Sequence, residues 1–108
     1  MNQQYAPIEQ ARADIDGLDG AVLVEFGSPT CGHCRRAQPL IAAALSAHPH
    51  VRHFKIADGS GRPLGRSFRV KLWPTLVFLR DGRETARLIR PADETVIGTA
   101  LAQIDAVA

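Results

Sequence analysis

The stretch VEFGSPTCGHCRRAQP, residues 24–39, contains both cysteines of this 108-residue chain, three positions apart, with a histidine between them and two arginines after them. It overlaps AVLVEF, residues 21–26, a run that is apolar except for Glu25 and is therefore typical of a strand buried on both faces. A helical pattern runs from Cys31 to about residue 47, and Pro39 inside it predicts a kink. The cysteines are thus expected where a buried strand ends and a helix begins.

Both cysteines lie where unpaired backbone N–H groups and the helix dipole favour a thiolate. Cys31 is expected to be exposed and to act as the nucleophile, and Cys34, one turn later, is expected to point inward. A purely structural disulfide is one alternative, although closing so short a loop would contribute only about 2 kcal/mol to stability. A metal site is another, because CxxC is half of many zinc sites, with His33 and the histidines of HPHVRH, residues 48–53, as further ligands.

Length and composition narrow the classes of function. The chain matches one domain, residues 1–108, with 45% hydrophobic and 22% charged residues, which is ordinary for a soluble protein. The net charge of +2 comes from 13 Lys and Arg scattered among acids, which does not favour nucleic-acid binding. The apolar runs are too short to span a membrane, and the N-terminus lacks the features of a secretory signal. We therefore expect a cytoplasmic protein whose lone cysteine pair performs chemistry.

The remaining patterns predict an α/β fold. The expected elements are a possible short strand near 3–6, a helix over 7–17, a strand over 51–58, a short helix from Pro63, a hairpin over 75–89 that turns at Asp81-Gly82, and a final helix from Asp93. This order predicts a mixed central sheet, with parallel strands and a C-terminal antiparallel hairpin, flanked by helices. In such sheets ligand chemistry gathers at the carboxyl ends of strands, where the cysteines lie.

Three features together resemble the thioredoxin superfamily: VLVEF followed by CGHC, then LWPT at residues 72–75, then the hairpin and final helix. The resemblance covers the chain from about residue 8 to its end and implies a thioredoxin fold of the bacterial thioredoxin-like kind. The Gly-His dipeptide is similar to that of protein disulfide isomerase domains, whereas thioredoxins usually have Gly-Pro.

The resemblance also implies the chemistry. Cys31 would form a mixed disulfide with a protein substrate, and Cys34 would resolve it, so that the redox-active Cys31–Cys34 disulfide is the only cofactor. A thioredoxin reductase or a similar donor would supply electrons to a monomeric protein. A partner-binding module whose cysteines only sense the redox state is the competing function.

Several substrate contacts follow from the same resemblance. Pro74 matches the cis-proline that faces the cysteines, and a proline that opens a strand agrees, since it cannot donate to a sheet ladder. A trans-proline in an edge strand is the alternative. The carbonyl and amide of Trp73 would be free to pair with an extended substrate peptide. In the competing function, the same groups would bind a partner. Further contacts are expected from Thr30, Gly32 and Thr75.

Two charged residues are assigned roles beside the cysteines. Glu25 matches the family's buried acid, usually aspartate, and would accept the Cys34 proton. The alternative is a structural acid paired with a cation such as Lys55. Protonated His33 would favour the Cys31 thiolate and make the disulfide more oxidising. The alternative is that the ring only fills space facing the solvent.

The chain departs from the family pattern at positions that affect partner recognition. Thr30 and Gly27 stand where the family often has tryptophan. RPAD, residues 90–93, stands where thioredoxins commonly have a glycine that faces the substrate. Four basic side chains would form a basic rim, namely Arg35, Arg36, Lys71 and Arg90. The alternative is that each charge is solvated separately.

Overall fold

A computed structural model of the chain describes residues 4–105. Within these residues the elements follow in the order α1 (Arg12–Asp16), β1 (Ala21–Gly27), α2 (Gly32–Ser46), β2 (Arg52–Ala57), α3 (Pro63–Ser67), β3 (Thr75–Arg80), β4 (Arg83–Ile89) and α4 (Glu94–Ile104). The strands form a sheet in the order β2-β1-β3-β4, in which β1 and β2 are parallel and the other neighbours are antiparallel. The predicted mixed α/β sheet with a C-terminal hairpin is confirmed.

The hairpin turns where the sequence predicted it. Asp81 and Gly82 have φ values of 51° and 79°, and positive φ at both positions is what a two-residue hairpin turn of type I′ requires. Asp81 also accepts a hydrogen bond from the backbone N–H of Gly20 at 2.7 Å. This contact fastens the turn to the beginning of β1.

Alternate side chains of β1 enter two different cores. Leu23 belongs to the cluster that packs against α2 and α4, and Val22 and Val24 belong to the cluster that includes side chains of α1 and α3. Every residue of β1 is buried, which explains its continuous apolar pattern. Glu25 lies on the same face of β1 as Leu23, directed towards α2.

The first helix is shorter than predicted. The sequence indicated a helix over 7–17, but α1 contains only Arg12–Asp16. Glu9 instead accepts a hydrogen bond from the backbone N–H of Leu64 at 2.8 Å, which ties the preceding segment to α3. Helix nucleation is unfavourable in so short a segment, so this tertiary contact outweighs the local preference.

The possible strand near 3–6 is not formed by residues 4–6, and residue 3 lies outside the described residues. The backbone N–H of Ala6 nevertheless donates to the carbonyl of Lys55 at 2.8 Å. The segment before α1 therefore runs beside β2, at the edge of the sheet. Over residues 4–105, no helix is long and apolar enough to cross a membrane.

Candidate active site around the cysteine pair

The cysteine pair lies between the end of β1 and the first turn of α2. Cys31 is the N-cap of α2 and is partly exposed, whereas Cys34 is 2% exposed, and both are free thiols. The Cys31 sulfur accepts a hydrogen bond from the backbone N–H of Cys34 at 3.2 Å. The predicted orientation, with Cys31 outward and Cys34 inward, is observed.

Several groups favour the thiolate of Cys31. Burial raises the pKa of Cys31, but the thiol of Cys34, the backbone N–H groups of Cys34 and His33, and the charge of Arg90 outweigh burial and leave the pKa below its ordinary value. Each of these groups directs a proton or positive charge at the sulfur. Cys31 is therefore the member of the pair that ionises first.

Cys34 has the opposite environment. The pKa of Cys34 is raised to about 11 by burial, by the hydrogen bond to Cys31, and by the negative charges of Cys31 and Glu25. A backbone hydrogen bond from Ser28 lowers the pKa but does not outweigh these effects. Cys34 is thus a protonated thiol at neutral pH. It needs help in losing its proton before it can act as a nucleophile.

The loop before β3 faces Cys31. The Trp73–Pro74 peptide bond is cis, and the Cys31 thiol lies 3.9 Å from the Trp73 carbonyl oxygen. The Trp73 indole donates to Asp58 Oδ2 at 3.0 Å, which fixes the ring over the end of β2.

The expectation that the Trp73 carbonyl is free is wrong. Arg90 Nε donates to this carbonyl at 2.8 Å, and the backbone N–H of Arg90 donates to the Pro74 carbonyl at 3.0 Å. Arg90 has a φ of 50°, and this backbone turn after β4 brings its side chain back over the loop. A charged side chain therefore covers the acceptor that was expected to be free.

The other predicted substrate residues differ in exposure. Thr30 and Gly32 are exposed and flank Cys31, and the hydroxyl oxygens of Ser28 and Thr30 lie 3.1 Å apart. Thr75 is only 1% exposed, and its hydroxyl donates to the carbonyl of Leu72 at 2.6 Å. The Thr75 side chain supports the loop around Pro74 from within.

Glu25 is buried beneath the cysteines and has partners for both carboxylate oxygens. Oε1 lies 2.9 Å from His53 Nε2, and Oε2 accepts from Gln38 Nε2 at 2.8 Å. Gln38 Nε2 also donates to the Cys34 carbonyl at 3.1 Å, and Lys55 Nζ donates to Gln38 Oε1 at 3.0 Å. The acid is therefore part of a polar network that reaches the backbone of Cys34.

His53 was not predicted as a partner of Glu25. The parallel register pairs Leu23 with His53 and Glu25 with Lys55, so these four side chains share one face of the sheet. The strand period of two, applied to 51–58, was the signal that could have found it. Sequence reasoning placed His53 only among candidate metal ligands.

The histidines of the metal hypothesis do not converge on the cysteines. His48 Nδ1 lies 2.7 Å from Asp105 Oδ2, and His53 bonds Glu25. The imidazole Nδ1 of His33 lies 3.4 Å from Arg36 Nη1, and the His33 group that bonds Cys31 is its backbone N–H. Among residues 4–105, no group of three or more His, Cys, Asp or Glu side chains is placed to hold a metal ion.

The sequence patterns also gave no indication of Tyr5, whose hydroxyl lies beside the side chain of Cys34. Tyr5 precedes α1, in the segment for which only a possible short strand near 3–6 was expected. A local pattern could not show that this residue lies beside Cys34, which follows the end of β1.

Comparisons with known proteins cover most of the chain. The family model for Thioredoxin matches residues 8–103. Thioredoxin of Chlamydia trachomatis is 34% identical over 76 residues, which cover 69% of this chain and 74% of that protein. Protein disulfide-isomerase A2 of Pongo abelii is 44% identical over 69 residues, which cover 60% of this chain but only 13% of that protein.

One solved structure shows the same similarity over almost the entire chain. The structure of thioredoxin 2 from Pseudomonas aeruginosa PAO1 in its reduced form matches with a TM-score of 0.86 and 52% identity, and the match covers 97% of both chains.

Proposed function

Because the chain belongs to the thioredoxin family of thiol–disulfide oxidoreductases, we propose that it reduces or exchanges disulfides in protein substrates through Cys31 and Cys34. The observation that carries the proposal is the asymmetry of the pair. Cys31 is partly exposed and its pKa is lowered, whereas Cys34 is buried and its pKa is raised. Such a pair has one thiol that attacks and one that is held back until the mixed disulfide has formed.

In the first step, the Cys31 thiolate attacks one sulfur of the substrate disulfide. An S–S bond forms between Cys31 and the substrate, the substrate's own S–S bond breaks, and its other sulfur leaves as a thiolate. Thr30, Gly32 and the Trp73–Pro74 loop form the contact surface. A substrate chain that pairs with the Trp73 carbonyl would share or displace the hydrogen bond that Arg90 Nε donates to it at 2.8 Å.

In the second step, Cys34 loses its proton and attacks the Cys31 sulfur. The Cys31–Cys34 disulfide forms, the bond between Cys31 and the substrate breaks, and the second substrate thiolate leaves, so that the substrate has gained two electrons. Glu25 is the proposed first acceptor of the Cys34 proton, which finally leaves with the substrate thiol. Gln38 supports this role, since it bonds both Glu25 and the Cys34 carbonyl.

The redox-active disulfide is the proposed cofactor, and a thioredoxin reductase or a similar donor is proposed to return the pair to its reduced form. We propose a monomer that acts in the cytoplasm and whose CGHC sequence gives it a more oxidising character than Gly-Pro would. The competing function, a redox-sensing binding module, would use the same Trp73–Pro74 surface without turnover.

The test is turnover of a protein disulfide with excess dithiothreitol as the electron donor. Wild type should turn over with dithiothreitol. In a single turnover without dithiothreitol, Cys34→Ser should stop as a mixed disulfide on Cys31, and Cys31→Ser should form no adduct. Undiminished turnover by Cys34→Ser would refute the two-step mechanism. A wild type that binds the substrate without reducing it would favour the binding module. In cell extracts, the adducts trapped by Cys34→Ser would identify the substrates.

A further inference from the structure

Tyr5 and Cys34 meet above the backbone of Gly27. A Cβ atom built on Gly27 would lie 2.7 Å from Cys34 Sγ and 2.9 Å from the Tyr5 hydroxyl oxygen. Real Cβ atoms do not approach other atoms so closely, so the absence of a side chain at residue 27 leaves room for both groups. The hydroxyl therefore lies beside the Cys34 sulfur in this space.

Tyr5 is held in place by contacts with β2. Lys55 Nζ lies 4.6 Å from the centre of the Tyr5 ring, a cation–π contact. The neighbouring backbone N–H of Ala6 donates to the Lys55 carbonyl at 2.8 Å. Lys55 Nζ also donates to Gln38, which connects the tyrosine to the network around Glu25. The hydroxyl is therefore directed at Cys34 by a packed and bonded segment.

We propose that Tyr5 is a catalytic residue of the resolving step, in which its hydroxyl donates a hydrogen bond to the Cys34 sulfur, orients it towards Cys31 and stabilises the attacking thiolate. This inference rests on the proposed function and assigns one more residue to the same site. The bonds that change are those already described: the Cys34 S–H bond and the bond between Cys31 and the substrate break, and the Cys31–Cys34 bond forms. Tyr5 keeps its own O–H bond throughout.

The electrostatics of the site suit a donor at this position. Burial, followed by the negative charges of Cys34 and Glu25, raises the pKa of Tyr5, so the phenol stays protonated when Cys34 ionises. A hydrogen bond to an ionised acceptor is stronger than one to a neutral acceptor. The donor therefore favours the Cys34 thiolate over the thiol, and so opposes the burial that raises the pKa of Cys34.

The test is a single-turnover reaction of reduced protein with a limiting chromogenic aromatic disulfide, followed by stopped flow across a range of pH. The first equivalent of coloured thiolate reports attack by Cys31, and the second reports resolution by Cys34. Tyr5→Phe keeps the ring under Lys55 and removes only the hydroxyl. We expect its second phase to be about tenfold slower, and the pH midpoint of that phase to rise by about one unit, with the first phase unchanged.

Three outcomes would overturn the inference. The first is a second phase of Tyr5→Phe that equals wild type in rate and pH profile. The second is equal slowing of both phases, which would show that Tyr5 only supports the fold. The third is a wild type without a second release, or a Cys34→Ser variant that retains it. This third outcome refutes the proposed function as well, and so it is distinguishable from the other two.

The wild type provides an independent measurement, in case Tyr5→Phe does not fold. Tyr5 is the only tyrosine of the chain, so the tyrosine part of the near-ultraviolet difference spectrum reports its hydroxyl. Oxidation of the cysteine pair in wild type removes the thiol partner and should change this signal. Oxidation that leaves the tyrosine signal unchanged would overturn the inference.

Discussion

A hydrogen bond of 2.9 Å joins Glu25 Oε1 to His53 Nε2 inside the protein, where 0% of the Glu25 side chain and 3% of the His53 side chain are exposed. Gln38 satisfies the second carboxylate oxygen at 2.8 Å. The acid thus connects β1 to its neighbour β2 and to α2, directly below the cysteine pair. Its contribution to stability depends on these partners as much as on its own burial.

Glu25→Ala should destabilise the protein, because it removes the carboxylate that bonds the buried His53 and the half-buried Gln38. Removal of a buried carboxylate that had no partner would increase the stability of the protein. Because Glu25 is paired, its removal should decrease the stability instead. Breaking a buried pair from one side costs about 3 kcal/mol, which denaturant unfolding of the reduced protein can measure. Adding His53→Leu should recover part of the loss. Equal or greater stability of Glu25→Ala would show that the pair contributes nothing.

Limiting iodoacetamide should alkylate Cys31 before Cys34. Hydrogen bonds and the charge of Arg90 lower the pKa of Cys31, whereas the pKa of Cys34 is raised to about 11. The labelling rate of Cys31 should therefore reach half its maximum at a pH below the value of about 8.5 for an ordinary thiol. Peptide mapping by mass spectrometry identifies the labelled residue. Labelling of Cys34 first would reverse the assigned roles.

The reduced protein should lose stability at alkaline pH through Cys34. The folded state keeps this thiol protonated. The contribution of Cys34 to the free energy of unfolding is therefore fully present below a pH of about 8.5, the pKa of an unfolded thiol. It is lost as the pH rises through the folded pKa of about 11. The difference in unfolding free energy between wild type and Cys34→Ala should shrink over this window. A difference that is independent of pH would contradict the raised pKa.

His33→Pro should make the cysteine pair more reducing. Proline removes both the imidazole and the backbone N–H that bonds the Cys31 sulfur, so the reduced form loses stabilisation. A change of one pKa unit corresponds to about 1.4 kcal/mol and a fall of roughly 30 mV in potential. His33→Ala is the matched control, because it removes the ring and keeps the N–H. Equilibration with glutathione measures all three potentials, and an equal or higher potential in His33→Pro would exclude this role.

Arg90→Ala should slow the reaction of Cys31 with small reagents at neutral pH. The charge of Arg90 lowers the pKa of Cys31, so its removal leaves less thiolate. The deficit should be about two- to threefold, given the screening of an exposed charge, and should vanish at high pH. Arg90→Lys is the control that keeps the charge. A deficit that persists at high pH would mean that Arg90 acts on the geometry of the Trp73–Pro74 loop instead of on the charge.

Much of the fold was predictable because it depends on local patterns. A continuous apolar run predicted β1, and the Asp81-Gly82 dipeptide predicted the hairpin turn. The apolar stripe after Asp93 predicted α4, whose N-cap is Asp93 with Val96 as its partner at 3.0 Å. The first helix was predicted too long, because Glu9 is drawn to the backbone of Leu64 by a contact that no local pattern reveals.

From the sequence alone it was possible to predict the place of the cysteine pair, its exposed and buried members and the acid in β1, since these follow from a strand that leads into a helix. The partners of these groups depend on tertiary contacts. His53 reaches Glu25, Arg90 covers the Trp73 carbonyl and Tyr5 reaches Cys34, and each pair joins segments that are distant along the chain. Such contacts depend on strand register and on the route of the segments beside the sheet, because long-range packing, not local preference, sets the distance between two side chains.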